Sequence, residues 1–161
     1  MPEKSVFYEM IKNHEGIIYK ITRAYCDSHD DQMDLYQDIV YQLWKGYDSF
    51  RGDSKPSTWM YRVALNTAYT YLRKEKRRGK KVGLEQLPLK YEIKDDVLEE
   101  RLAKMYAQIK CLSDIDKGVI LLLLEGKKYE EIAEITGYTR SKVATRISRI
   151  KDKLRTRLVK N

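Results

Sequence analysis

The sequence predicts an all-α protein made of two small helical domains joined by a linker. Only 8 glycines and 3 prolines occur in 161 residues, so few positions would interrupt a helix. Apolar residues recur every three or four positions through much of the chain, which is helical spacing. We expect domains at residues 1–79 and 95–161, with the linker at residues 80–94. Domains of about 80 residues have thin cores and modest stability.

The first domain is predicted to begin with two or three helices. Apolar residues recur at helical spacing between Val6 and Ile21, which predicts a helix or a helix pair over residues 5–25. The next helix is expected from about Asp31 to about Trp44, because acidic residues suit the positively charged N-terminal end of a helix.

A loop and a long helix complete this domain. The sequence RGDSKP, residues 51–56, contains Gly, Asp, Ser and Pro and is typical of a loop. Ser57 or Thr58 would then cap a helix that continues to Arg78. The residues that follow mix lysines, a glycine and a proline without periodicity, and they indicate the linker.

The second domain is predicted to begin with two helices. One is expected from about Asp95 to Lys110, and the next would start at Ser113 and carry the apolar residues 119–124. The first of these two helices has an apolar stripe formed by Leu98, Leu102, Met105, Tyr106 and Ile109.

The last two predicted helices form a helix-turn-helix. Residues 129–136 have the pattern of a short helix, and Gly137 follows directly. Glycine tolerates a positive φ, so it permits the tight turn that this motif requires. Thr139 is expected to cap the last helix, which would continue to about Leu158.

Charge is segregated along the chain. The formal net charge is +8. Residues 140–160 contain nine basic residues and one acid, and residues 62–81 contain eight basic residues and one acid. Residues 26–53 have the opposite bias, with seven acids and two basic residues. Two basic segments favour a polyanionic partner such as nucleic acid, and the acidic segment must serve another purpose.

Little in the sequence indicates catalysis, a metal or a membrane. Cys26 and Cys111 belong to no CxxC pair, and His14 and His29 are isolated, so we expect no metal, no cofactor and no enzymatic activity. The apolar run 119–124 is too short to span a bilayer, and the N-terminus lacks the pattern of a signal peptide. We therefore expect a cytoplasmic protein without membrane insertion.

The last helix has the features of a duplex DNA reader. Its apolar residues at intervals of four, three and four share one face, which should be buried. The polar residues lie on a different face, near the end that enters the major groove in helix-turn-helix proteins. These candidates are Arg140, Lys142, Thr145, Arg146 and Arg149. Their arginines could bind guanine or phosphate, and a merely solvated basic face is the alternative.

The long helix of the first domain presents a second polar stripe. Its members are Arg62, Asn66, Tyr69 and Arg73, spaced four, three and four residues apart. This set of side chains suits partly opened DNA, because the arginines can bind phosphates, the amide can bind a base edge and the aromatic ring can stack on a base. A solvated polar face is again the alternative.

Acidic and polar residues share one face of the preceding helix. They are Asp34, Gln37, Asp38 and Tyr41. Carboxylates repel DNA, so this face would either bind a basic protein surface or stay hydrated. Composition alone does not decide between the two.

Two stretches of the sequence resemble a known family. DLYQDIVYQLW at Asp34–Trp44, followed by FRGDSKPSTWMYRVALNTA at Phe50–Ala68, resembles region 2 of bacterial extracytoplasmic-function (ECF) sigma factors. The stretch Leu112–Leu154, which contains LSDIDKGVILLLLEGKKYEEIAEITGYTR, looks like their region 4. The two matches occur in the expected order with a short linker between them.

The resemblance implies partners and residue roles. The face of Asp34, Gln37, Asp38 and Tyr41 would dock on the beta-prime clamp helices of RNA polymerase core, and the beta flap would be a further contact. The loop with Arg51, Asp53 and Ser54 would recognise and help open the minus-ten element of promoter DNA together with the stripe Arg62, Asn66, Tyr69 and Arg73. The residues of the last helix would contact the minus-thirty-five element. An anti-sigma factor is a possible further partner.

The sequence therefore predicts a sigma factor that directs RNA polymerase core to promoters and assists strand opening. The main rival is a conventional helix-turn-helix transcriptional regulator whose N-terminal half binds a partner. A subunit of a DNA-processing enzyme is a third hypothesis with less support.

Overall fold

The computed structural model describes residues 4–50, 52, 54–78 and 95–160. These residues form α-helices and one short 3-10 helix, Tyr47–Ser49, and they contain no strand, which confirms the all-α prediction. The α-helices, in chain order, are α1 (Lys4–Asn13), α2 (Glu15–Tyr25), α3 (His29–Gly46), α4 (Pro56–Arg78), α5 (Asp96–Ile109), α6 (Asp114–Leu124), α7 (Tyr129–Thr136) and α8 (Arg140–Lys160).

The chain divides into two compact units, residues 1–91 and 92–161. Helices α1 to α4 belong to the first unit, and α5 to α8 belong to the second. The division falls within the predicted linker, residues 80–94, all of which lie outside the described residues.

The first unit begins with a helix pair rather than a single helix. The chain turns at His14, whose backbone amide donates to the Ile11 carbonyl at 3.1 Å. The next helix, α3, begins two residues earlier than the sequence indicated. Its N-cap is Ser28, whose hydroxyl accepts a hydrogen bond from the Asp31 amide at 3.1 Å, so Asp31 lies within the first turn.

Helices α2, α3 and α4 pack around the core of the first unit. Each contributes apolar side chains from one face, and α1 adds Phe7 and Ile11. Among the fully buried side chains are Ile18, Ile21, Leu35, Ile39, Leu43 and Met60. Three helices of this kind can bury one shared core because each has a continuous apolar stripe.

The long helix α4 differs from the prediction in its start. It begins at Pro56, so neither Ser57 nor Thr58 caps it. Proline suits the first helical position, since its missing N–H would have no partner there. Its core-facing side includes the buried Tyr61 and Leu65, whereas Val63 and Thr67 are half-buried.

The second unit packs α6, α7 and α8 together. Helix α6 is capped by Ser113, the residue at which it was predicted to start: the Ser113 hydroxyl accepts a hydrogen bond from the Asp116 amide at 3.2 Å. Asp95 caps α5 in the same way. Only the end of the predicted α5 stripe is buried, because Tyr106 and Ile109 reach the core while Leu98 remains 45% exposed.

Candidate nucleic-acid and protein interfaces

The helix-turn-helix of the second unit is formed by α7, a three-residue turn and α8. Gly137 has a φ of 81°, which confirms that the turn uses the left-handed conformation available to glycine. The Thr139 hydroxyl accepts from the Lys142 amide at 3.1 Å and caps α8 as predicted. The predicted apolar face of α8 is buried at Val143, Ile147 and Ile150. Both helices are thus fixed by local capping and by a shared core.

The predicted DNA-reading residues of α8 are not equally accessible. Arg140, Lys142, Thr145 and Arg149 are exposed. Arg146 is partly buried, with 27% of its side chain exposed, and its Nη1 donates to the Asp116 carboxylate at 2.8 Å. At about 100° per residue, Arg146 borders the buried face of α8, which explains why it reaches inward.

Arg140 braces α8 against α7. Its Nε donates to the Glu130 carboxylate at 2.7 Å, and its guanidinium carbon lies 5.6 Å from the centre of the Tyr129 ring. The hydrogen bond from Arg140 is the main cause that lowers the pKa of Glu130. Both side chains of the pair are 63% exposed, so solvent screens this contact and Arg140 keeps further N–H donors for other partners.

The members of the predicted DNA stripe on α4 differ in their exposure. Asn66 and Arg73 are exposed, whereas Arg62 and Tyr69 are half-buried. The Tyr69 ring packs edge-on against the buried Tyr25 ring of α2, with centroids 6.0 Å apart. The stripe therefore has two exposed members, and its aromatic member packs against a buried ring of α2.

The loop before α4 is anchored by aromatic stacking. Phe50 stacks on Trp59 with ring centroids 4.9 Å apart, and Trp59 also contacts Tyr47 edge-on at 6.2 Å. Ser54 is half-buried. The predicted loop residues Arg51 and Asp53 lie outside the described residues.

The acidic face of α3 is partly accessible. Tyr41 is 58% exposed, while Asp34, Gln37 and Asp38 are half-buried. The ammonium group of Lys45 lies 5.5 Å from the centre of the Tyr41 ring, one turn further along the helix. The face therefore combines carboxylates, an amide and an aromatic surface.

A groove of about 710 Å³ lies between α3 and α4. It brings Asp38 and Tyr41, from the predicted protein-binding face, together with Asn66 from the predicted DNA stripe. The sequence patterns assigned these residues to separate surfaces. Lys45, Trp59, Thr70 and Lys74 also line the groove, and the sequence pattern did not single them out as site residues. Finding them required the packing of α3 on α4, which periodicity within one helix does not reveal.

The described residues contain no cluster of His, Cys, Asp or Glu suited to a metal ion. The Nδ1 atom of His14 lies 2.9 Å from the Met10 carbonyl oxygen, which is a local helix-end contact. Both cysteines are free, with Cys26 buried and Cys111 exposed. No described helix is long and apolar enough to cross a membrane.

The structure defines a two-unit helical protein: the second unit carries a helix-turn-helix with a basic last helix, and the first carries a groove lined by polar, charged and aromatic side chains. Family comparison identifies both parts. Residues 10–78 match Sigma-70 region 2, and residues 102–154 match Sigma-70 region 4. The chain belongs to the sigma-70 family of RNA polymerase sigma factors, in the ECF group.

Individual relatives agree with this assignment. RNA polymerase sigma factor SigV of Bacillus subtilis is 27% identical and aligns over 98% of this chain and 93% of its own length. The ECF RNA polymerase sigma-E factor of Escherichia coli K12 is 28% identical, over 93% of this chain and 85% of its own length.

Two solved complexes are similar in fold. CnrH in complex with the cytosolic domain of CnrY has a TM-score of 0.72 and 21% identity, covering 99% of this chain and 91% of that one. RpoE of Bartonella quintana with the anti-sigma factor NepR also has a TM-score of 0.72, at 24% identity, covering 94% of this chain and 96% of that one.

Proposed function

We propose that this chain directs RNA polymerase core to promoters and assists promoter opening in transcription initiation. The observation that carries the proposal is the presence of both Sigma-70 regions in one chain, over residues 10–78 and 102–154. A conventional helix-turn-helix regulator would account for the second region alone. The protein is proposed to act in the cytoplasm, as a specificity subunit and not as an enzyme.

The minus-thirty-five element is proposed to bind along the first half of α8. Lys142, Thr145 and Arg149 are exposed there, and Arg140 lies at the helix start beside the turn. A helix of this kind fits the major groove, where cations reach phosphates or guanine and a hydroxyl reaches base edges.

The minus-ten element is proposed to bind the outer side of α4 and the loop before it. The contact residues would be Arg51, Asp53, Ser54, Arg62, Asn66, Tyr69 and Arg73. Asn66 supports this role because it is exposed and lines the groove, and its amide offers both a donor and an acceptor to the edge of an unstacked base. Unstacking a base costs a few kcal/mol, so the protein must offer compensating contacts.

Polymerase core is proposed to dock its beta-prime clamp helices on Asp34, Gln37, Asp38 and Tyr41, with the beta flap contacting the second unit. Carboxylates on a partly buried face fit a basic partner, and the exposed Tyr41 supplies apolar contact area. An anti-sigma factor that covers these surfaces would block initiation.

Reconstituted transcription tests the proposal. Purified chain is mixed with RNA polymerase core and fragmented genomic DNA, and run-off transcripts are sequenced to map start sites. We expect transcripts from a defined set of promoters that share two upstream elements. Failure to bind core, or transcription that is the same with and without the chain, would refute the function.

A further inference from the structure

Arg146 behaves differently from the other basic residues of α8. Its Nη1 donates to Asp116 at 2.8 Å, and the two side chains are only 27% and 10% exposed. The Arg146 Nε atom is also buried and makes no hydrogen bond within the protein. A guanidinium oriented this way offers less of its surface to DNA than the exposed Arg149 does.

Asp116 is held in place by the start of α6. Its backbone amide donates to the Ser113 hydroxyl that caps the helix, which fixes the carboxylate in the first turn. The positive end of a helix dipole favours a carboxylate at this position. The ion pair therefore joins the N-terminal turn of α6 to the first half of α8, thirty residues away in sequence.

Tyr138 provides a second contact from the helix-turn-helix turn. Its ring centre lies 5.1 Å from the guanidinium carbon of Arg146 and 4.2 Å from the Lys142 ammonium group. Cations within about 6 Å of an aromatic ring centre are attracted by its negative face. Arg146 thus contacts α6 through Asp116 and the turn through Tyr138.

We propose that Arg146 positions the recognition helix and does not read DNA, with Asp116 and Tyr138 as its partners. This inference rests on the proposed function of α8 at the minus-thirty-five element. Arg146 fixes the orientation of α8 on α6, and the Tyr138 ring directs Lys142. Contact with DNA then falls to Arg140, Lys142, Thr145 and Arg149.

The variant Asp116→Asn separates the two roles by the sign of its effect. It removes one negative charge, so the formal net charge rises from +8 to +9. If Arg146 bound DNA, releasing it from Asp116 would tighten binding to the polyanion. If Arg146 positions α8, the same change weakens binding because the helix loses its anchor.

The experiment uses the full chain with polymerase core and a promoter fragment mapped by run-off transcription. Promoter affinity is measured across a salt series, and amide hydrogen exchange is measured on the chain alone. We expect Asp116→Asn to weaken promoter binding at least threefold, with an unchanged salt slope and faster exchange in α6 and α8. The matched control Arg149→Ala should weaken binding without faster exchange. Binding by Asp116→Asn that equals or exceeds wild type would overturn the proposal.

The reciprocal variant Asp116→Arg with Arg146→Asp provides a rescue test. Positioning predicts that the swap slows exchange and recovers promoter binding relative to either single change, but short of wild type, because the positive end of the α6 dipole disfavours an arginine at position 116. Restored exchange with binding still lost would show that Arg146 contacts DNA, because the new carboxylate would repel it. Tyr138→Phe should retain binding and Tyr138→Leu should lose it, since only phenylalanine keeps the ring.

Failure of the proposed function gives a different result. In that case the wild-type chain would form no promoter complex with polymerase core. The comparison of amide hydrogen exchange between Asp116→Asn and Arg149→Ala would still be possible, because it needs no promoter. Equal exchange in those two variants would refute the positioning role by itself.

Discussion

Replacing Gly137 by alanine should destabilise the second unit by a predictable amount. Gly137 has a φ of +81°, and a Cβ added there would meet no atom within 4 Å. The cost is therefore that of the left-handed backbone alone, about 1–2 kcal/mol for an alanine. In a unit of this size each kcal/mol lowers the melting temperature by about 4–8 °C, so we expect a fall of roughly 5–15 °C.

The unfolding of the two units can be followed separately. Both tryptophans, Trp44 and Trp59, lie in the first unit, so their fluorescence reports only that transition. Far-UV circular dichroism reports both units, and the transition absent from fluorescence belongs to the second.

A matched control for Gly137→Ala is available in the same unit. Gly126 also has a φ of +81° and open space at its Cβ position, so Gly126→Ala should cost a similar amount. Gly137→Asn should cost less, since asparagine tolerates this conformation. An unchanged melting temperature for Gly137→Ala, or a loss above about 4 kcal/mol, would refute the backbone argument.

Three further predictions concern the interfaces. Asp38→Arg should weaken core binding about tenfold, or 1.4 kcal/mol, in an anisotropy titration, whereas the exposed control Asp48→Arg should have little effect; equal losses would remove Asp38 from the interface. Asn66→Ala should weaken capture of single-stranded minus-ten DNA by about 1 kcal/mol, one hydrogen bond, and unchanged capture would exclude the amide as a base contact. The lowered pKa of Glu130 means that its pair with Arg140 contributes above the ordinary glutamate pKa and is lost as pH falls through the folded-state value. The melting difference between wild type and Glu130→Gln should thus be constant from pH 6 to 8 and shrink only below about pH 4, and a change near pH 7 would contradict this.

Local sequence rules predicted the helices well because their signals are local. A serine cap, a glycine in the turn and a threonine cap each act within four residues, and Ser113, Gly137 and Thr139 occupy those positions in the structure. The predicted start of α4 was wrong. The helix begins at Pro56, because the preference of proline for the first helical position outweighed the capping preference of Ser57 or Thr58.

The sites were harder to predict because they depend on packing between helices. Periodicity placed Arg146 beside the exposed residues of α8, but its partner Asp116 comes from another helix. The sequence did contain one sign that Arg146 is partly buried. It follows the apolar Val143 by three residues, so on the helix the two side chains point only about 60° apart. The groove likewise depends on how α4 packs against α3, because residues of both helices line it.

The formal net charge of α8 overstates how many of its basic side chains are available to bind DNA. The described basic residues of this helix include three that bind within the protein: Arg140 to Glu130, Arg146 to Asp116, and Arg157 to the carbonyls of Gln108 and Cys111. Counterion release depends only on cations that neutralise phosphates, with a slope of about −0.9 per phosphate in duplex DNA. Cations already engaged with carboxylates and carbonyls contribute less to that slope, although they count equally in the formal charge. These three arginines instead stabilise the position of the recognition helix against the rest of the second unit.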